Sequence, residues 1–264
     1  MATHGRVVAA WLAALLATSG STPPAFALDQ AAAPAVANAT AASVGSPLVL
    51  APRPRHVNFE KELASEAAHH VADWVVDANN NRGLPFVIVD KTQAKAFVFY
   101  ADGRLRGAAP VLLGLAIGDD SVPGIGKRKL ATILPQERTT PAGRFVAALD
   151  RNLHGKPLLW VDYDAAISLH PVITSNVEER RAERLATPSP LDNRISYGCI
   201  NVPADFFKHV VGPAFKGTNG IVYVLPETRS PQKVFGSYDV EERARLRSAS
   251  QDSPERVASQ ADAN

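Results

Sequence analysis

Apolar and polar positions change their period along the chain. Over residues 58–83, Phe59, Leu63, Ala67, Val71, Trp74, Val75 and Ala78 recur at helical spacing, with Asn58 placed as an N-cap and Asn79-Asn80-Asn81 and Gly83 as the stop. This predicts an amphipathic helix packed on the domain. After Pro85 the period falls to two, or to short continuous apolar runs, at residues 86–90, 94–100, 110–117, 144–149, 158–163, 166–170 and 221–225, which predicts strands. Asp102-Gly103, between two such stretches, signals a hairpin because a type I′ turn needs positive φ, and neighbouring strands are expected to be antiparallel. Few long helices alternate with the strands. A doubly wound parallel sheet is therefore disfavoured, and a mainly β sandwich or barrel with a few short helices is expected. No internal repeat is seen.

Two helical pieces interrupt the β pattern. Ser175-Asn176-Val177-Glu178 has a capping-box arrangement and opens a charged surface segment that runs to Leu185. The second piece has Pro203 in its first turn and Phe206, Phe207, Val210 and Val211 as its apolar face, and is expected to end at Gly212-Pro213. Residues 228–264 are polar, with Arg243, Arg245 and Arg247 among Glu241, Glu242 and Asp252, and are expected to form a largely disordered tail with a helical turn or two at most.

The first 27 residues place Arg6 before an apolar run from Val7 to Thr18, then Gly20, Pro23, Pro24 and the small-x-small site Ala25-Phe26-Ala27. This predicts a signal peptide cut after Ala27 and export to the periplasm or cell-wall space. The competing reading, a membrane anchor, is disfavoured because the run is shorter than the ~20 residues a span needs. Residues 28–57, rich in Ala and Pro and poor in charge, read as a disordered tether. The formal charge of +2 from 28 basic and 26 acidic residues excludes the strongly basic balance of a nucleic-acid binder. No later stretch is apolar enough to span a membrane.

A single cysteine, Cys199, rules out an internal disulfide. In an exported chain a lone thiol is either a buried small hydrophobe or a group whose reactivity is used. Its setting, Ser196-Tyr197-Gly198-Cys199-Ile200-Asn201, places it after a glycine and just before a predicted helix, where positive partial charge favours thiolate and backbone N–H groups can stabilise an oxyanion. Of seven histidines, His4 and His56 fall outside the domain. His69 and His70 diverge by ~100° on one helix and cannot share a metal. His154 lies in a turn and His209 in a helix, whereas His170 ends a strand and is followed by Pro171. Strand ends are where rigid scaffolds display functional groups. Without an H-E-x-x-H or a close Cys/His cluster, neither metal nor cofactor is expected.

Three blocks in order resemble the catalytic domain of the L,D-transpeptidases, the YkuD family. They are Phe86-Val87-Ile88-Val89-Asp90 with the following hairpin, Thr139-Thr140-Pro141-Ala142-Gly143-Arg144-Phe145, and His170 with Ser196-Tyr197-Gly198-Cys199-Ile200-Asn201. The resemblance covers residues 84–227. It implies a β-rich domain and an exported enzyme acting on peptidoglycan stem peptides, in which Cys199 is the nucleophile and His170 its base. Backbone N–H groups at Tyr197, Gly198 and Cys199 would form the oxyanion hole. Cys199 would attack the third stem residue, D-alanine would leave, and an amine on a second stem peptide or a wall-anchored protein would resolve the thioester. Softer substrate-binding candidates are Ser196, which shapes the turn, Asn201 and Arg194, the last of which could meet a stem-peptide carboxylate.

The chain departs from the family pattern in three places. Tyr197 stands where a histidine usually precedes Gly-Cys. Pro171 follows His170 where a hydroxyl or glycine is usual, so only a backbone carbonyl could orient the imidazole. The stretch from His170 to Cys199 is longer than usual, and its charged segment reads equally as a lid or as a decorative loop. Three functions share these residues: an L,D-transpeptidase, an L,D-carboxypeptidase in which water resolves the thioester, and a cell-wall binding module whose thiol no longer turns over.

Overall fold

The computed structural model describes residues 54–261, with side chains through residue 250. The expected signal peptide and nearly all of the tether lie outside the described residues. Among the described residues there are ten strands: β1 (Phe86–Asp90), β2 (Lys95–Phe99), β3 (Leu105–Pro110), β4 (Leu113–Gly114), β5 (Gly143–Arg151), β6 (Pro157–Asp162), β7 (Ile167–Pro171), β8 (Arg194–Ser196), β9 (Ile200–Val202) and β10 (Gly220–Val224). The helices are α1 (Glu66–Asp77), α2 (Arg181–Ala186), α3 (Ala204–Phe206), α4 (Gly212–Phe215), α5 (Pro231–Phe235) and α6 (Val240–Ala261). No helix among the described residues is long and apolar enough to cross a membrane. The mainly β expectation holds.

Eight strands form one sheet in the order β3-β2-β1-β10-β5-β6-β7-β9, and β4 pairs with β8 separately. The nine-residue β5 serves both halves: its residues from Gly143 to Ala147 pair with β10, and those from Ala148 to Arg151 pair with β6. Successive side chains on a strand face opposite ways, and here both directions are buried. Val87, Val89, Val98 and Val222 join Leu159, Leu169 and Ile200 in one core, while Phe86, Ile88, Phe97, Phe99 and Tyr223 join Trp74 of α1 in a second. Burial on both faces is why β1, β2 and β10 read as near-continuous apolar runs.

Pairing is mixed, not uniformly antiparallel: β1–β10, β4–β8 and β7–β9 run parallel. The hairpin at Asp102-Gly103 forms, but Gly103 alone takes positive φ (90°), and the register slips between Val98 and Phe99. That is a type I turn followed by a left-handed glycine, not type I′. The predicted strand at 110–117 splits, because Pro110 ends β3 and the chain then turns to pair Leu112 with Asn201 and Leu113 with Arg194.

The first helix starts later than expected. Ser65 Oγ accepts from the Ala68 N–H at 3.1 Å and caps α1, whereas Asn58 Oδ1 closes a local turn on the Glu60 N–H. Phe59 is still buried against Phe97 and Phe99, but Leu63 is exposed. The second predicted helix continues past Gly212-Pro213. Proline lacks the N–H for an i→i−4 bond, and the backbone from Phe207 to Val211 widens so that the Gly212 N–H bonds the Phe207 carbonyl five residues back.

The expected disordered tail is helical in α5 and α6 because a few residues anchor it. Phe235 stacks on Trp74, and the Tyr238 hydroxyl donates to Asp77 at 2.7 Å. Beneath β4 and β8 lies a charged network. The ammonium of Lys91, wholly buried, donates to the Gly118 carbonyl, Asp119 (2.9 Å) and the Thr140 carbonyl (3.0 Å), and pairs with Glu227 at 3.3 Å.

Candidate active site

Parallel pairing of β7 with β9 sets His170 opposite Asn201 and Leu169 opposite Ile200. The period of two puts Ser168 and His170 on one face of β7, and Cys199 enters that face from the residue before β9. A register contact thus closes the long segment that separates the histidine from the thiol.

The His170 Nδ1–H donates to the Pro171 carbonyl oxygen at 2.8 Å, so the remaining nitrogen, Nε2, is the one that faces the site. The backbone carbonyl supplies what the missing hydroxyl cannot. His170 and Cys199 lie near enough on this face for each to shift the titration of the other. Burial pulls the imidazole pKa down, but the hydrogen bond and charge of Cys199, with the Pro171 carbonyl, raise it overall. Burial pushes the thiol up, yet His170 and then Ser168 hold it below its ordinary value. The half-buried sulfur also stands 3.7 Å from Ser168 Oγ and 3.6 Å from the Ala166 carbonyl oxygen. Each side chain thus favours the charged form of the other.

A helix N-terminus does not contribute to this, contrary to expectation. Cys199 precedes the strand β9, and α3 begins only at Ala204. The two three-residue strands flanking the thiol are too short to show a period.

The candidate residues divide. Ser196 shapes the turn: its Oγ donates to the Cys199 carbonyl at 2.7 Å and accepts from the Gly198 N–H at 3.0 Å. The Gly198 N–H is therefore engaged inside the turn, which removes it from the expected oxyanion trio and leaves Tyr197 and Cys199 as the candidate donors. Gly198 itself has φ 130°, and a Cβ there would lie 2.7 Å from the Thr139 carbonyl oxygen and from Ile167 Cδ1. The Tyr197 ring lies under the Arg138 guanidinium at 4.0 Å. Arg194 is not at the site. It is buried and ion-paired with Glu227, and it donates to the Lys91 carbonyl at 3.1 Å, so its guanidinium is not open to a substrate carboxylate.

Asn201 joins the pair. Its Nδ2 is 3.3 Å from His170 Nε2 and its Oδ1 accepts from Arg181 Nη1 at 2.6 Å. Arg181 comes from α2 in the long segment between the two catalytic candidates. Neither Arg181 nor Ser168 was legible as a site residue. Ser168 could have been found from its i, i+2 relation to His170 on a strand, but nothing local marks Arg181.

Cavities lie on both sides of the pair. A pocket of about 80 Å3 reaches Cys199 and Tyr197 and is lined by Ile125, Ile133, Ala166 and Ile167. A groove of about 790 Å3 reaches His170 and Ser168, with Leu158, Val172 and Ile173 along it and His154 and Lys156 contributing polar atoms. Of the other histidines, His69 packs on Phe59 and His70 bonds Ser237, both away from this face.

No family model and no curated protein matches the chain. Among solved structures it is similar to L,D-transpeptidase catalytic domains. The catalytic domain of the E. faecium L,D-transpeptidase matches at 20% identity over 53% of this chain and 96% of its own, with a TM-score of 0.33. The L,D-transpeptidase LdtMt1 in complex with imipenem matches at 15% identity over 53% of this chain and 58% of its own, TM-score 0.32. An L,D-transpeptidase from Xylanimonas cellulosilytica matches at 15% identity over 53% of this chain and 60% of its own, TM-score 0.33. The chain thus spans less than two thirds of the last two.

Proposed function

We propose that this protein is an exported, cysteine-dependent acyltransferase of the L,D-transpeptidase kind, acting on peptidoglycan stem peptides. The observation that carries the reading is the β7–β9 register, which brings Cys199 onto the face of β7 that holds Ser168, 3.7 Å from the sulfur, and His170, whose Nδ1–H is held on the Pro171 carbonyl. The three sequence motifs supply the substrate class.

In this mechanism Cys199 Sγ attacks the carbonyl carbon of the third stem residue while its proton passes to His170 Nε2. The C–N bond to the terminal D-alanine breaks as His170 returns that proton to the leaving amine, and a thioester remains. An acceptor amine then attacks the thioester, gives its proton to His170, and Cys199 is released. The amides of Tyr197 and Cys199 stabilise the oxyanion in both steps. Water in place of the amine gives the carboxypeptidase outcome with the same residues.

Incubation with a carbapenem followed by intact-protein mass measurement tests the nucleophile. A single adduct on the native protein, missing from Cys199→Ser, is expected. A native thiol that iodoacetamide alkylates but a carbapenem leaves unmodified overturns the acyl-transfer reading in favour of a binding module. Supplying a tetrapeptide stem with and without an amine acceptor separates transfer from hydrolysis: a joined product is expected, and release of D-alanine alone assigns the carboxypeptidase.

A further inference from the structure

The segment Thr139-Thr140-Pro141 belongs to a recognisable motif, yet the chemistry above gives it no part. Thr140 is wholly buried, and its hydroxyl lies between two backbone groups. The Gly114 N–H donates to Oγ1 at 2.8 Å, and Oγ1 lies 2.8 Å from the Gly198 carbonyl oxygen. Because Gly114 brings its own hydrogen, the hydroxyl proton of Thr140 has the Gly198 oxygen as its acceptor. The direction of both bonds is thereby assigned.

The carbonyl of Gly198 and the N–H of Cys199 are two ends of one planar peptide unit. In a trans peptide these ends point opposite ways. Capturing the oxygen on the Thr140 side therefore turns the Cys199 N–H toward the other side. At a glycine, which lacks the Cβ that restrains its neighbours, such a peptide has little else to stop it from flipping. A flipped unit would present its carbonyl oxygen where the donor is required.

We propose that Thr140 is a positioning residue: its hydroxyl pins the Gly198–Cys199 peptide so that the Cys199 N–H is aimed at the oxygen of the carbonyl under attack. The anchor is rigid. Lys91 Nζ donates to the Thr140 carbonyl at 3.0 Å, and Thr139 Oγ1 donates to the Asp120 carbonyl at 2.6 Å, so the segment is held on both sides of the hydroxyl. This inference rests on the acyl-transfer reading.

Its test compares two reactions of the same sulfur. Acylation by a carbapenem passes through an oxyanion, whereas alkylation by iodoacetamide does not. In Thr140→Val, acylation is expected to fall about 100-fold, the effect of losing one oxyanion donor, while alkylation keeps the native rate. Thr140→Ser, which retains the hydroxyl, restores acylation. Native acylation in Thr140→Val, or an equal fall in both reactions, overturns the proposal. A native protein that alkylates but never acylates refutes the acyl-transfer reading itself, and the positioning role falls with it. Should Thr140→Val not fold, the amide resonance of Cys199 in the native protein decides: it is expected to move downfield on acylation, and an unmoved resonance overturns the assignment.

Discussion

Arg181 Nη1 donates a 2.6 Å hydrogen bond to Asn201 Oδ1. A guanidinium has only donors to offer, so this bond fixes the amide oxygen toward Arg181 and turns the NH2 end toward His170 Nε2, 3.3 Å away. Arg181 is itself held by Glu179 at 2.5 Å. The segment read as a lid or a loop therefore reaches the imidazole through one intermediary.

The positive charge of Arg181 lowers the His170 pKa, against the upward pull of Cys199. Removing it in Arg181→Met should move the His170 titration to higher pH, followed by NMR of the imidazole Cε1 proton. An unchanged midpoint would show that the charge does not reach the ring.

His170→Ala should act on the thiol as well as on proton transfer. Burial alone pushes the Cys199 pKa up, and His170 is the larger of the opposing influences. The pH at which iodoacetamide alkylation reaches half its maximal rate should therefore rise in the variant, and carbapenem acylation should fall by about 10²–10⁴-fold, the usual loss of a general base. Alkylation that keeps its native pH profile would separate the two side chains electrostatically.

Lys91 neutralises a buried acidic pair, Asp119 and Glu227. Lys91→Met keeps the length of the side chain but leaves these carboxylates short of a cation, which should destabilise the fold by about 3–5 kcal/mol. Urea denaturation checks this, and a midpoint equal to the native one would mean that Arg194, paired with Glu227, and Arg229, 3.5 Å from Asp119, already suffice.

His56, expected to lie outside the domain in the tether, instead bridges α1 and α6, with Nδ1 2.7 Å from Asp73 and Nε2 2.8 Å from Glu241. The hydrogen bonds to Asp73 and then Glu241 raise its pKa above 6.5. A raised folded-state pKa stabilises fully below the unfolded value and loses that contribution as pH rises through the folded value. The difference in melting temperature between the native protein and His56→Gln should thus be largest near pH 6 and shrink toward pH 9, where ~pH 9 lies well above any ordinary histidine titration. A difference that stays constant over this range would refute the linkage.

Local pattern carried much of the fold. β1, β2, β5, β6, β7 and β10 were legible because each buries at least one face, and burial writes itself into residue type at a period of two. β8 and β9 were not, since three residues cannot display a period and their partners lie far away in the chain. The C-terminal helices were missed for a related reason. Their anchoring rests on Phe235, Tyr238 and Glu241, too few to stand out in a polar segment.

The site divides in the same way. Residue chemistry marked Cys199 and His170 as candidates, and the resemblance of the motifs around them to the L,D-transpeptidases paired them as nucleophile and base and pointed to a backbone carbonyl as the imidazole's support, because these depend on what a side chain is and on what adjoins it. Only the tertiary structure could decide that Arg194 is occupied by Glu227, that the Gly198 N–H is closed off by Ser196, and that Thr140 and Arg181 reach the loop and the ring. Those relations are set by strand register and by the path of the long intervening segment, and a bond between residues tens of positions apart leaves no periodic trace in either.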